Sequence, residues 1–211
     1  MPTRRVYDWM YRVFAPWSKA DRYEIRDLVS DGPCAPELLV PDEHSTARAV
    51  DLGCGEGGVA IWLARAGFEV VGVDFSTVAL GKARATATRA GLTQDRLRFV
   101  AGDLTGEAIE DVAGPFDLLV DYSTLDDLPM EARARMARLV TSLARPGSRF
   151  FLDAWTGDPD ELPWVSFTGP SKMAPGLVPG EVEELFEADW RVERLPRPGN
   201  RFIANYLLTK R

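Results

Sequence analysis

The chain has 211 residues, of which 45% are hydrophobic and 27% charged, the size and balance of one α/β domain able to bury a core. A formal net charge of −7 argues against a nucleic-acid partner, which calls for a basic face. Two cysteines, Cys34 and Cys54, and one histidine, His44, exclude a disulfide framework and a Cys/His zinc cluster. No apolar run approaches membrane-spanning length and the N-terminus lacks an apolar signal core, so no membrane partner and a cytoplasmic location are expected.

Residues 1–46 read as a helical extension ahead of the core. Tyr7, Met10, Tyr11 and Phe14 fall at helical spacing with Trp9 beside them, and Pro16 ends that helix. Ser18 is placed to cap a second helix, with Asp21 three residues on and an apolar stripe at Ile25, Leu28 and Val29. The proline- and acid-rich stretch 31–48 reads as loop with one short helical turn. The aromatics suit either packing against the sheet edge or a lid over a ligand, with Tyr11 and Trp17 as pocket candidates.

The stretch 49–76, AVDLGCGEGGVAIWLARAGFEVVGVDFS, organises the rest. A short apolar strand interrupted by Asp51 leads into glycines 53, 55, 57 and 58. A helical run over 59–66 stops at Gly67, and a β-branched run over 70–73 ends on Asp74. Strand, glycine turn, helix, strand and a terminal acid make a nucleoside-binding crevice at the carboxyl ends of parallel strands. The glycines let the backbone turn sharply and approach a ligand. Asp74 is placed to accept hydrogen bonds from ribose hydroxyls.

Ser76 caps a predicted helix over 77–90 closed by Gly91, with Ala79, Ala83, Ala87 and Ala90 as its small face. A third strand over 97–101 is followed by Asp103. A short helix is expected over 105–113, then the Gly114-Pro115 break and a buried fourth strand over 116–120 ended by Asp121. Tyr122 to Asp127 form the next loop, and Pro129 opens a helix running to Ala144. Arg133, Arg135 and Arg138 on that helix read as a solvated face. Pro146-Gly147 breaks the chain before a fifth strand over 149–154. Residues 155–180, with Trp155, Trp164, Phe167 and Met173, read as an insertion walling a pocket rather than a linker, with packing alone as the rival reading. A helix over 181–188 and a hairpin of 191–195 with 202–208 complete the chain. The expected architecture is a Rossmann-like, doubly wound, mostly parallel seven-stranded sheet with a C-terminal antiparallel hairpin and a helical N-terminal extension. It is one domain over 1–211: extension 1–46, cofactor core 47–154, insertion 155–180, C-terminal helix and hairpin 181–211.

Two ligand classes fit the glycine turn. Gly53, Gly55 and Gly58 satisfy G-x-G-x-x-G, which admits NAD. Asp51 weighs against it, because a carboxylate two residues before the first glycine repels a pyrophosphate and suits the ammonium and sulfonium of S-adenosylmethionine. VDLGCGEGG followed by VVGVDFS closely resembles the first two motifs of class I S-adenosylmethionine-dependent methyltransferases. AGDLT at 101–105 resembles the third and FDLLVDYSTLDDLP at 116–129 the fourth, and Ala15-Pro16-Trp17 resembles an element of the thiopurine and tellurite-resistance branch. The resemblance spans residues 49–154. It implies that Asp51, Gly53, Cys54, Gly55, Asp74, Phe75, Asp103, Leu104 and Asp121 hold the cofactor, with Phe75 on the adenine and Asp103 at its amino group. Cys54 is expected to be a small packing residue rather than a nucleophile.

Methyl transfer from a sulfonium chiefly needs positioning and exclusion of water, so no residue is obligatorily catalytic. Asp121 and Tyr122 are the candidates beside the methyl, and Tyr11, Trp17, Tyr122, Asp126 and Trp155 those for the acceptor pocket. For Asp126 and Asp127, capping of the following helix is favoured over catalysis, and no metal site is expected. DYST lacks the prolines of the Asn/Asp-Pro-Pro-Tyr motif, which argues against nucleic-acid bases and protein amides as acceptors. The expectation is methylation of an oxygen, nitrogen or sulfur of a small molecule, S-adenosylhomocysteine being the product, by a monomer or homodimer. An NAD-binding oxidoreductase and a nucleoside-binding module without chemistry are the alternatives.

Overall fold

The computed structural model describes residues 4–13, 23–30, 32–40, 45–158, 161, 176–196, 199 and 201–211. Trp17, Phe14, Pro16, Ser18, Asp21, His44, Trp164, Phe167 and Met173, on which parts of the sequence reading fell, lie outside them.

Seven strands form one sheet in the order β3-β2-β1-β4-β5-β7-β6. They are β1 (Arg48–Leu52), β2 (Glu69–Asp74), β3 (Leu97–Ala101), β4 (Phe116–Tyr122), β5 (Ala144–Trp155), β6 (Trp190–Leu195) and β7 (Ile203–Lys210). The first five are parallel; β7 is antiparallel to both β5 and β6. Strands β1 and β4 are adjacent although the chain passes through β2 and β3 between them. The strand order reverses there, opening a crevice beyond their carboxyl ends.

The helices are α1 (Arg4–Val13), α2 (Tyr23–Ser30), α3 (Pro36–Leu39), α4 (Gly58–Arg65), α5 (Thr77–Arg89), α6 (Met130–Ser142) and α7 (Glu181–Phe186). Two cores result, one on each sheet face. On one, Ile25 and Val29 of α2, Ala60 and Leu63 of α4 and Leu80 and Ala83 of α5 meet Val70, Phe99, Leu118, Val120 and Phe151. On the other, Met136 and Val140 of α6 and Val182 and Phe186 of α7 meet Val50, Val71, Leu119, Phe150 and Trp190. Alternation along β4 sorts its side chains between the faces, Leu118 and Val120 to one and Leu119 to the other. The doubly wound fold with its terminal hairpin is therefore as expected.

Helix α5 begins where its cap predicts: the Ala79 amide donates to Ser76 Oγ at 3.2 Å, and Gly91 leaves the helix at φ 73°. Three expectations are corrected. Residues 105–113 form turns and a bridge between Ile109 and Val112 instead of a helix, with Asp111 at φ 63°. Ile109 and Val112 are thereby buried in the α6-side core, which outweighs local helix propensity. Strand β5 starts at Ala144 and continues through Pro146-Gly147. The register against β4 shifts there, and Ser148 Oγ receives the Arg145 amide at 2.9 Å and donates to the Phe116 carbonyl at 2.7 Å. Arg133, read as solvated, is 1% exposed. No helix among the described residues is long and apolar enough to cross a membrane.

Candidate active site

The glycine turn leaves β1 and is tied to the tip of β2: the amides of Gly53 and Cys54 both donate to the Val73 carbonyl, at 2.8 and 2.9 Å. Gly53 has φ 73°, and a Cβ there would strike Thr124 Oγ1, which itself donates to the Leu52 carbonyl at 3.2 Å. Gly55 has φ 52°, and its Cβ would lie 2.8 Å from the Tyr11 hydroxyl, the side chain that covers the turn. Asp51 is 3% exposed and its Oδ2 accepts the Ala60 amide at 3.0 Å. It thus serves an otherwise orphaned amide in the first turn of α4, whose N-cap, Gly57, has no side chain to do so. Cys54 is buried, and burial pushes its thiol well above the usual range, followed by the charges of Asp51 and Asp74. The Cys54 side chain packs in the same core as Ala60, Ala83 and Phe99.

Asp74 receives the Gly55 amide on Oδ2 at 2.9 Å and the Ser76 amide on Oδ1 at 2.8 Å. Each carboxylate oxygen has a second lone pair, so the two amides aim the group without exhausting it. Burial raises its pKa, and the Ser76 and Gly55 amides oppose that. Phe75 follows, half-buried. At the end of β3, Asp103 is exposed, with Oδ1 holding the Thr105 amide at 2.8 Å and hydroxyl at 2.7 Å, while Leu104 is buried.

Helix α1 lies across these groups. The Tyr7 ring meets Phe75 edge-on at 5.1 Å, and its hydroxyl donates to Asp127 Oδ2 at 3.1 Å. Asp8 accepts from Ser76 Oγ, Arg4 donates to Thr77 Oγ1 at 3.0 Å, and Lys82 donates to the Tyr11 carbonyl. The extension thereby bridges β2, α5, the glycine turn and the loop after β4.

That loop starts with Asp121, which is fully buried; its Oδ1 accepts the Thr124 amide at 2.8 Å and its Oδ2 the Leu125 amide at 3.0 Å. Burial lifts its pKa to about 7 against the pull of those amides. Its carboxylate shapes the turn, and Ser123 within it sits at φ 56°, a conformation most side chains avoid. Tyr122 points the other way: its hydroxyl accepts the Ile25 amide of α2 at 3.2 Å and its ring packs on Phe151 at 5.4 Å. Asp126 is fully buried; Oδ2 accepts the Trp155 amide at 3.2 Å, and among the described residues Oδ1 has no hydrogen-bond partner. Burial, then the charges of Asp127 and Asp121, push its pKa well up, and Asp127 rises to about 7, chiefly by burial. Among the described residues no group of three His, Cys, Asp or Glu side chains is arranged to hold a metal ion.

Arg133 anchors this loop from below. Nη1 lies 2.7 Å from both carboxylate oxygens of Glu181, Nη2 donates to the carbonyls of Gly176 at 2.6 Å and Asp126 at 3.2 Å, and Nε donates to Leu128 at 3.0 Å. The expected site residues thus gather at one end of the sheet, except that Trp17 is outside the described residues and the Tyr122 side chain turns toward α2. Arg133 and Tyr7 were missed as site residues. The signal for Arg133 was there: Met136, Ala137 and Val140 follow at i+3, i+4 and i+7, so it lies on the apolar stripe.

A sheet of this order, with a glycine turn after β1 and an acid at the tip of β2, defines the S-adenosylmethionine-dependent methyltransferase fold. Residues 49–147, just under half of the chain, match the family described as "Methyltransferase domain". The chain is 28% identical over 149 residues to a 2-heptyl-1-hydroxyquinolin-4(1H)-one methyltransferase of Mycobacteroides abscessus, covering 70% of this chain and 62% of that protein. It is 34% identical over 130 residues to a ubiquinone biosynthesis O-methyltransferase of Methylococcus capsulatus, covering 61% and 52%. The chain thus spans between about half and two thirds of the length of these relatives; other matches are named for a ribosomal RNA and a ribosomal protein. A TehB-like SAM-dependent methyltransferase from Corynebacterium glutamicum superposes with a TM-score of 0.63 at 20% identity over 99% of this chain and 98% of that one, a likeness of fold.

Proposed function

We propose that the chain transfers the methyl group of S-adenosylmethionine to an oxygen, nitrogen or sulfur atom of a small molecule. The observation that carries this is the convergence of Gly53, Gly55, Asp74 and Phe75 beneath α1 at the β1/β4 switch point. The residues fit the cofactor. The backbone at Gly55 is covered by a side chain of α1 rather than by its own Cβ, and Asp74 is fixed by two amides with lone pairs to spare. S-adenosylmethionine, when bound, supplies a methyl already activated on sulfonium.

In this reading Asp74 holds the ribose, Phe75 and Leu104 flank the adenine, and Asp103 receives its amino group. The backbone of Gly53, Cys54 and Gly55 lies against the amino-acid moiety, and Asp51 keeps α4 in register for it. Asp121 is a positioning residue that shapes the loop bordering the methyl, Tyr122 fixes that border against α2, and Tyr11 and Trp155 line the acceptor side. A lid helix suits the chemistry, because the reaction needs water excluded and the acceptor held in line. A small acceptor is supported by this cover and by the chain's net charge of −7, which opposes binding of a phosphate backbone.

The test is incubation with methyl-labelled S-adenosylmethionine and three acceptor sets: small hydroxyl, amine and thiol compounds, total RNA, and a protein extract. Label in the small-molecule set is expected. Label confined to RNA or protein would contradict the reading.

A further inference from the structure

We infer that the acceptor pocket is built for a cationic, N–H-bearing small molecule, held by the carboxylates of Asp126 and Asp127 beneath Tyr7; this rests on the methyltransferase reading above.

The argument begins with an oxygen that lacks a partner. Asp126 is 0% exposed, yet among the described residues Oδ1 receives no hydrogen bond, while Oδ2 is held by the Trp155 amide. A buried carboxyl oxygen left unbonded is costly, and a fold keeps such a group where something else completes it. The orphan lies among acids: the charges of Asp127 and Asp121 both act on Asp126. Asp121 is bonded to amides of its own loop and Asp127 to the Tyr7 hydroxyl, neither of which brings a positive charge. Arg133 does act on Asp127, but its guanidinium is bound to both oxygens of Glu181 and is neutralised there. Among the described residues no unneutralised cation therefore acts on the pair, and a bound ammonium ion would favour its ionised form.

An ammonium ion brings both missing elements, an N–H for Oδ1 and a positive charge for the pair. A neutral alcohol supplies only the first, and a carboxylate or phenolate adds to the repulsion. Access is through α1: Tyr7 bonds Asp127 and sits on Phe75, so lifting that helix opens the acid pair and the cofactor crevice together.

The experiment is calorimetric titration of the full chain, saturated with S-adenosylhomocysteine, with three matched pairs of probes. These are benzylamine and benzyl alcohol, 2-phenylethylamine and 2-phenylethanol, and tryptamine and tryptophol. The amine of at least one pair is expected to bind roughly ten- to a hundredfold tighter than its alcohol, the span of one charge-assisted hydrogen bond. Asp126→Asn, which keeps the shape, is expected to erase that preference and leave S-adenosylhomocysteine affinity unchanged; Asp127→Asn is expected to reduce it and guards against a folding defect in the first variant. Failure of every amine to outbind its alcohol, or a preference that survives both substitutions, overturns the inference and leaves the methyltransferase reading standing. Failure of the unsubstituted chain to bind S-adenosylhomocysteine overturns that reading itself.

Discussion

Arg133→Ala tests how the loop after β4 is held. The guanidinium is 1% exposed and Glu181 is 7% exposed, so the substitution leaves a buried carboxylate whose remaining donor is the Val178 amide at 2.9 Å. Breaking one side of a buried ion pair costs about 3–5 kcal/mol. The carbonyls of Asp126, Leu128 and Gly176 lose a donor as well, each a net loss of about 1 kcal/mol unless water enters the space left by the side chain. A total near 4 kcal/mol is expected, because the vacated volume is large enough to admit water. Urea unfolding followed by circular dichroism measures it. Arg133→Met with Glu181→Leu is expected to recover most of the loss, since apolar replacement of both partners removes the unpaired charge. Arg133→Ala costing less than about 1 kcal/mol, or a double variant no better than the single one, would refute the anchoring role.

Asp74→Ala should weaken S-adenosylhomocysteine binding by about 1.5–3 kcal/mol, read by calorimetry, and unchanged affinity would remove Asp74 from the ribose role. Stability should fall as pH rises from about 4 to above 7. Burial raises Asp121 and Asp127 from 3.8 to about 7, so the folded chain holds their protons more tightly than the unfolded chain does. Their contribution is full below pH 4 and lost as pH passes about 7. A flatter dependence of the urea midpoint in Asp121→Asn checks it, and an unchanged slope would count against the shift. Tyr7→Phe removes the hydroxyl bond to Asp127 and should speed hydrogen exchange of the α1 amides severalfold; identical exchange would show that this bond does not hold the helix down.

The parallel core was legible because its signals are local. Glycines 53, 55, 57 and 58 after a short apolar strand, Ser76 before an alanine-faced helix and acids at the ends of β2 and β3 each announce themselves within a few residues. What was not legible depends on partners distant in sequence. The bond that Asp51 Oδ2 accepts from the Ala60 amide, nine residues on, had no signal in the sequence. The segment 105–113 has local helix signals that yield to burial of Ile109 and Val112. Arg133 looked solvated beside Arg135 and Arg138, although its spacing to Met136 and Val140 placed it on the buried face; Glu181, which completes its pair, lies 48 residues away. The orientation of Tyr122 likewise depends on its place in β4, where alternation sends it toward α2.

The most direct test of the central claim is calorimetric titration of the chain with S-adenosylmethionine, S-adenosylhomocysteine and NAD. Saturable one-to-one binding of both adenosyl ligands, lost in Asp74→Ala, with no heat from NAD, is the predicted result. Binding of NAD alone, or of none of the three, would contradict it.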